Sequence, residues 1–383
     1  MSRSRLLAAC TILLTLALIA ATIAASPSTT AKPAPQVGQV TPTASLLVRR
    51  FDQTATLLPN GKVLIAGGME ANGRYDASAE LYDPQKGTFA ATAGMSVARS
   101  CHTATLLPGG KVLLAGGAKG PDEHVATVEL YDPATGRFQP TGSMSGPRCG
   151  AVAILLKSGK VLIIGGEGAH EDERLTSAEL YDSSTGRFTP TGSMHVARDT
   201  HAAVLLKDGR VLVVGGSSAG RYPNAHIEAS AEIYDPASGR FTTTGSMSTA
   251  RHKLAVALLP DGRVLVAGGS DNHDWRGQYA SAEIYDPASG RFTNAGDMQF
   301  RRFKLTHAVV ALRDGRVLIA GGAERPEIYD AKTASFQTVQ GTVGDGRYFS
   351  TATVLADGRV LIAGGYGQDA MAGAVANAWL YRP

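Results

Sequence analysis

The chain has 383 residues, of which 18% are charged and 6% aromatic, with 45 glycines and a formal charge of +4. Arg3 and Arg5 belong to an N-terminal leader, so what remains is near neutral, which argues against a nucleic-acid partner or a charged membrane-facing surface. Little charge, few rings and abundant glycine suit short strands joined by tight turns.

Leu6 to Ala25 is an uncharged apolar run behind those two arginines, followed by a Ser/Thr/Pro/Ala-rich stretch from Ser26 to Pro35. This is the three-part form of a secretory signal over residues 1–25, with small-residue cleavage contexts at Thr22-Ile23-Ala24 and Ile23-Ala24-Ala25. The run is also long enough to span a bilayer, so an uncleaved anchor is the alternative, and the only expected membrane contact. Leu7-Ala8-Ala9-Cys10 looks like a lipoprotein box, but Cys10 opens the apolar run instead of closing it, which argues against lipidation. Either way the expected location is secreted, periplasmic or cell-surface. Residues 26–39 read as a flexible linker.

From residue 40 onward one stretch recurs: a turn, a short apolar run and a glycine pair. It first appears as Asn60-Gly61-Lys62-Val63-Leu64-Ile65-Ala66-Gly67-Gly68. Its glycine pair returns at Gly116, Gly165, Gly215, Gly268, Gly321 and Gly364, in steps of 49, 49, 50, 53, 53 and 43 residues. A period of roughly 40 to 50 residues indicates propeller blades or a solenoid. Each unit reads as four strands. An apolar or small run such as His102 to Leu107 leads through a Pro-Asp-Gly-Arg type turn into a second strand that is continuously apolar, hence buried on both faces. After a loop of changing length comes Ala-Glu-Leu/Ile-Tyr-Asp, with Glu80, Glu129, Glu179, Glu232, Glu283 and Glu327 in register. A Pro/Gly turn then leads to a fourth strand opened by Phe89, Phe138, Phe188, Phe241, Phe292 or Phe336. Arginines recur near each first strand, and ion pairs with the repeated glutamates are expected. Helix-period stripes are absent.

Ala378 to Pro383 reads as the third strand of the seventh unit, with no fourth after it. Val40-Thr41-Pro42-Thr43-Ala44-Ser45-Leu46, with Arg50 four residues on, matches Phe188 to Met194 with Arg198 position for position. The expectation is an all-β, seven-bladed propeller over residues 40–383, with the N-terminal segment supplying the missing strand of the last blade and clasping the ring shut.

The pattern Arg-x-x-His-x-Ala-x-Leu-Leu-Pro-x-Gly-Lys/Arg-Val-Leu-x-Ala-Gly-Gly, then Glu-x-Tyr-Asp-Pro, resembles the Kelch repeat, in the variant of the galactose-oxidase central domain and of bacterial secreted Kelch proteins. The resemblance covers about residues 40–383 and implies fold more firmly than function. In galactose-oxidase-like enzymes the axis holds copper through a Cys-linked Tyr, a Tyr-His pair and a His from a further C-terminal domain. By that resemblance Cys101 stands where the linking Cys would. Gly150 stands where a ligand Tyr would, Tyr348 fits the Tyr of the pair, and Phe349 replaces its His. The last ligand has no counterpart here. The expectation is therefore no metal and no cofactor, with catalysis left open but disfavoured.

Cys101 and Cys149 fall one repeat apart; an inter-blade disulfide or two buried thiols both satisfy that spacing. His102, His201 and His307 recur in register and read as structural or channel-lining. The run His170-Glu171-Asp172-Glu173-Arg174 lacks metal-ligand spacing and reads as a solvated loop. The glycine pairs precede loops instead of helices, so they are not phosphate-binding, and no nucleophile elbow appears.

Strand parity puts the near-identical turns on one face of the disc, and the variable second-to-third loops with the blade connections on the other. Function tends to sit on variable loops held by a rigid scaffold. Two such loops, on adjacent blades, supply the candidate ligand-binding residues: Arg221, Tyr222 and His226, then Asn272, His273, Asp274, Trp275, Arg276 and Tyr279. Trp275 in a polar loop suits stacking on a sugar ring or anchoring a protein; covering the blade edge is the plainer alternative. The expected function is a monomeric extracytoplasmic binding module for a glycan or protein partner. The alternative is a carbohydrate-acting enzyme, an oxidase, epimerase or lyase, with its site over the central channel.

Overall fold

The computed structural model describes residues 37–383 apart from 71, 171, 221–223 and 368–372. The leader and nearly all of the linker lie outside the described residues. The described residues build seven antiparallel sheets of four strands each, six of them from one continuous stretch of chain. Blade 1, for example, comprises Thr54–Leu57, Val63–Ala66, Ala79–Asp83 and Thr88–Ala91. First strands of successive blades touch one another in cyclic order around the axis, and that of blade 7, Thr351–Val354, touches that of blade 1.

The second strands explain why a single blade is not a stable unit. In Val63–Ala66 all four side chains are buried, and alternate residues serve opposite neighbours. Val63 and Ile65 pack with Leu361 and Ala363 of blade 7, whereas Leu64 and Ala66 pack with Val112 and Leu114 of blade 2. The core is thus a set of clusters between blades, each buried aliphatic side chain contributing about 1.5–3 kcal/mol.

Blades are also pinned by charge. Arg99 donates from Nη1 to the Gly116 carbonyl at 2.7 Å and from Nη2 to Glu129 at 3.0 Å, both side chains being buried. Arg50–Glu80, Arg148–Glu179, Arg198–Glu232, Arg251–Glu283 and Arg302–Glu327 repeat the pair, as the recurring residues led one to expect. Each glutamate also accepts a backbone N–H from the connection that enters its blade, as Glu129 does from Ser96. Blade 7 has Trp379 in place of the glutamate, and the Arg347 guanidinium lies 5.0 Å from its ring centre. Gly67 must be glycine: its φ is +65°, and a Cβ there would lie 2.5 Å from the Arg99 carbonyl of the next blade.

The ring closes as expected. Gln39–Pro42 pairs antiparallel with Ala378–Arg382, matching Val40 to Tyr381 and Thr41 to Leu380. The segment makes the contacts that other fourth strands make. Thr43 Oγ1 lies 3.3 Å from Tyr82 Oη, as Thr92 lies 3.1 Å from Tyr131, and Leu47 donates to Glu80. The strand opens one residue before the linker boundary read from sequence. Two further differences concern the loops. Blades 2 and 4 carry extra two-stranded hairpins, Ala118–Gly120 with Glu123–His124 and Ser217–Ala219 with His226–Ile227; strands of two or three residues have no readable period. Blade 5 carries a 3-10 turn, Asp274–Arg276, and its fourth strand runs unbroken from Arg291 to Arg302.

Candidate binding site on the loop face

The strand directions separate two faces. Clefts on one are lined by the repeated turns, such as Asn60-Gly61-Lys62 with Asp83-Pro84-Gln85. On the other, second-to-third loops and blade connections meet at the mouth of the channel. There, two residues after each repeated arginine, the chain has positive φ: Asp52 (56°), Cys101 (49°), Gly150 (64°), Thr200 (48°), Lys253 (51°), Lys304 (58°) and Phe349 (51°). Six are not glycine, and that conformation costs an L-residue of order 1–2 kcal/mol. A belt of hydrogen bonds holds them: Asp52 N–H donates to Phe349 O, Phe349 to Lys304 O, Lys253 to Thr200 O, Thr200 to Gly150 O and Gly150 to Cys101 O. Cys101 N–H closes on the Asp52 carboxylate at 2.8 Å. These side chains differ from blade to blade although their backbone is the same, which is how a symmetric scaffold makes an asymmetric site.

Lys304 is the centre of one side of that mouth. Its ammonium lies 4.4 Å from the centre of the Trp275 ring, 4.7 Å from Phe303, 5.3 Å from Tyr366 and 5.5 Å from Phe349. It donates to Tyr366 Oη at 2.6 Å and faces Asp274 at 3.6 Å. Burial, with repulsion from Lys253, pulls its pKa down to about 8. Asp274 also receives Lys253 Nζ at 2.8 Å; the two ammoniums outweigh burial and hold its carboxyl below the usual range. Burial raises the Tyr366 phenol. On the other side burial pushes Asp52 up to about 6, although Ser100 and the Cys101 amide donate to it.

Trp275 is 37% exposed. Its ring meets Tyr348 and Phe303 edge-on at 4.6 and 4.9 Å, so it lies down on the neighbouring connections while part of it stays open. Beside it is a cleft of about 470 Å³ lined by Arg276, Gln278, Gln299, Phe300, Arg301, Glu324 and Asp345, running from blade 5 to blade 6. Of the other residues expected from sequence, His273 pairs with Asp271 at 3.2 Å, and Asn272 lies in the same loop. Tyr279 stacks under the Arg251 guanidinium at 5.3 Å, which makes it part of the scaffold. His226 pairs with Glu228 within its own hairpin region at 3.4 Å, and Arg221 and Tyr222 lie outside the described residues. Lys253, Lys304, Asp52, Phe303 and Tyr366 were not singled out by sequence reasoning. For Asp52, Lys253 and Lys304 the signal was available: two residues past the repeated arginine, residue type varies while the flanking pattern repeats.

The channel holds a smaller cavity, about 230 Å³, lined mostly by Ala, Val and Thr with His201 and His307. His102 reaches Thr54 Oγ1 at 3.0 Å between blades 1 and 2. At His201 the corresponding residue of the preceding blade is Val152, and neither ring nitrogen has a hydrogen-bond partner. Burial lowers the pKa of all three repeat histidines.

The donors for a copper centre of the galactose-oxidase kind do not fit. Cys101 is bonded to Cys149, settling the two alternatives for that pair in favour of the disulfide. Gly150 has no side chain, Phe349 no donor, and the Tyr348 ring is fully buried among aromatics. Two ammoniums, Lys253 and Lys304, converge on Asp274 on the same face and offer a metal no donor.

The fold is that of a seven-bladed β-propeller built from four-stranded antiparallel blades. A fungal alcohol oxidase of the AA5 family, solved in complex with copper, shares this fold with a TM-score of 0.72 and 20% sequence identity, over 91% of this chain and 77% of that one. No family model and no curated protein matches the chain.

Proposed function

We propose that the protein is an extracytoplasmic binding module that recognises a glycan through the cleft beside Trp275. One observation carries this reading: a partly exposed tryptophan, braced by Tyr348 and Phe303, forms one wall of a cleft whose other walls include Phe300 and the polar Arg276, Gln278, Gln299, Arg301, Glu324 and Asp345. A sugar offers an apolar ring face for the indole, and hydroxyls that planar guanidinium, amide and carboxylate groups hold in pairs. The cleft has the volume of a small-ligand site, and a protein partner would favour a flatter and less polar surface. A glycan-array screen of the mature chain tests this. Binding to at least one saccharide class is expected, with Trp275→Ala weakening it roughly tenfold or more while the melting temperature stays within a few degrees. A silent array, or hits that Trp275→Ala leaves unchanged, contradicts it.

A catalytic reading draws support from Lys304, whose lowered pKa beside Asp274 and Tyr366 is the kind of perturbation active sites show. Against it, the ammonium is already boxed by aromatic rings and paired within the fold. Turnover of a bound sugar that Lys304→Met abolishes without loss of binding would favour the enzyme.

A further inference from the structure

We propose that the opened, dithiol form of the Cys101–Cys149 bridge joins His124 and Glu167 in a binding site for one zinc(II)-like ion. The ligand atoms of His124, Cys149 and Glu167 all lie within 4.8 Å of one another. Cys101 Sγ lies outside that group of three but is bonded to Cys149, so on reduction its side chain has to rotate in to become the fourth donor. Zinc–ligand bonds of about 2.0–2.3 Å place tetrahedral donors roughly 3.5 Å apart, so a small contraction of this cluster encloses a metal.

The positions are fixed by the fold. Cys149 and Glu167 face each other across an antiparallel bridge, with N–H to O distances of 3.0 and 2.7 Å in the two directions. His124 stands on the extra hairpin of blade 2, and its Nδ1 lies 2.6 Å from the Gly168 carbonyl of blade 3. That carbonyl can only accept, so Nδ1 carries the proton and Nε2 the lone pair, the arrangement that backbone carbonyls impose on metal-binding histidines. Two thiolates and a carboxylate exceed a dication by one negative charge. Arg174, 3.0 Å from Glu167 Oε1 and shared with Asp199 at 3.2 Å, offsets part of that charge. His124 and Glu167 lie off the first strands, so this donor set differs from the copper set that the resemblance implies.

The chemistry balances simply. A phosphine or thiol reductant gives two electrons to the disulfide and is itself oxidised, to the phosphine oxide with oxygen from water or to its own disulfide. The two resulting thiols then lose their protons as the metal binds.

Cobalt(II) titration of full-length protein carrying Cys10→Ser is the test, because cobalt reports its ligands by colour. After phosphine reduction the expected result is a thiolate-to-cobalt charge-transfer band that saturates at about one equivalent and is displaced by zinc. The oxidised protein should show no such band. His124→Ala, a change at a half-buried hairpin position that leaves both cysteines in place, should weaken binding roughly tenfold or more. No thiolate band in the reduced protein overturns the proposal. So does an unchanged titration in His124→Ala, or cobalt binding that appears only once the melting transition is lost.

Discussion

At the scale of single residues, the site is a matter of charges held partly out of water. Asp52 accepts hydrogen bonds from Ser100 Oγ at 2.6 Å and from the Cys101 amide at 2.8 Å, yet burial outweighs both and raises its pKa to about 6. The native state therefore binds this proton more tightly than the unfolded chain, whose carboxyl keeps the ordinary value of 3.8. Its stabilising contribution is complete below about pH 4 and is lost as pH rises through 6. Asp199, also raised to about 6 by burial, acts in the same window. Asp52→Asn keeps an acceptor but cannot ionise. Melting temperatures taken from pH 4 to 7 should show the variant gaining on the parent as pH rises through 6; parallel curves would contradict the assignment. The position of Asp52, two residues past a repeated arginine, was legible in the sequence, but the burial that raises its pKa was not. The repeated Arg and Glu were legible, because six copies in register expose a pair that one copy would hide.

The element that decides the architecture is the strand Gln39–Pro42. It satisfies the outer edge of Ala378–Arg382, and its continuation through Leu46 packs into the cluster formed with Val63, Ile65, Leu361 and Ala363. Deleting residues through Thr43 should leave that edge unpaired and open the seam between blades 7 and 1. Thermal melts and light scattering should then show a lower, broader transition and self-association; a monomer melting as the parent does would show the clasp to be dispensable. This strand could be read from sequence because it copies the spacing of the other fourth strands down to the Met-equivalent Leu46 and the arginine beyond it. The extra hairpins and the 3-10 turn could not, since they belong to loops that share no pattern. The same limit applied to the site: Trp275 and its loop stood out by composition. The ring of rings around Lys304, however, is assembled from Trp275, Phe303, Phe349 and Tyr366, which the packing of blades 5, 6 and 7 side by side brings together.

For the whole molecule, the two faces of the disc divide the work. Near-identical turns cover one, with surface pairs such as Lys111–Asp132 at 3.1 Å that repeat from blade to blade and carry no individual information. The other gathers the departures that make the site: the disulfide, the lysine box, the cleft. The protein has two tryptophans, Trp379 buried in blade 7 and Trp275 at that cleft. Fluorescence of a Trp379→Phe variant therefore reports on Trp275 alone. The most direct measurement is a titration of that variant with oligosaccharides of the class selected on the array. The account predicts a saturable, single-site change in emission; a sugar that binds while Trp275 emission stays constant would place recognition elsewhere and contradict it.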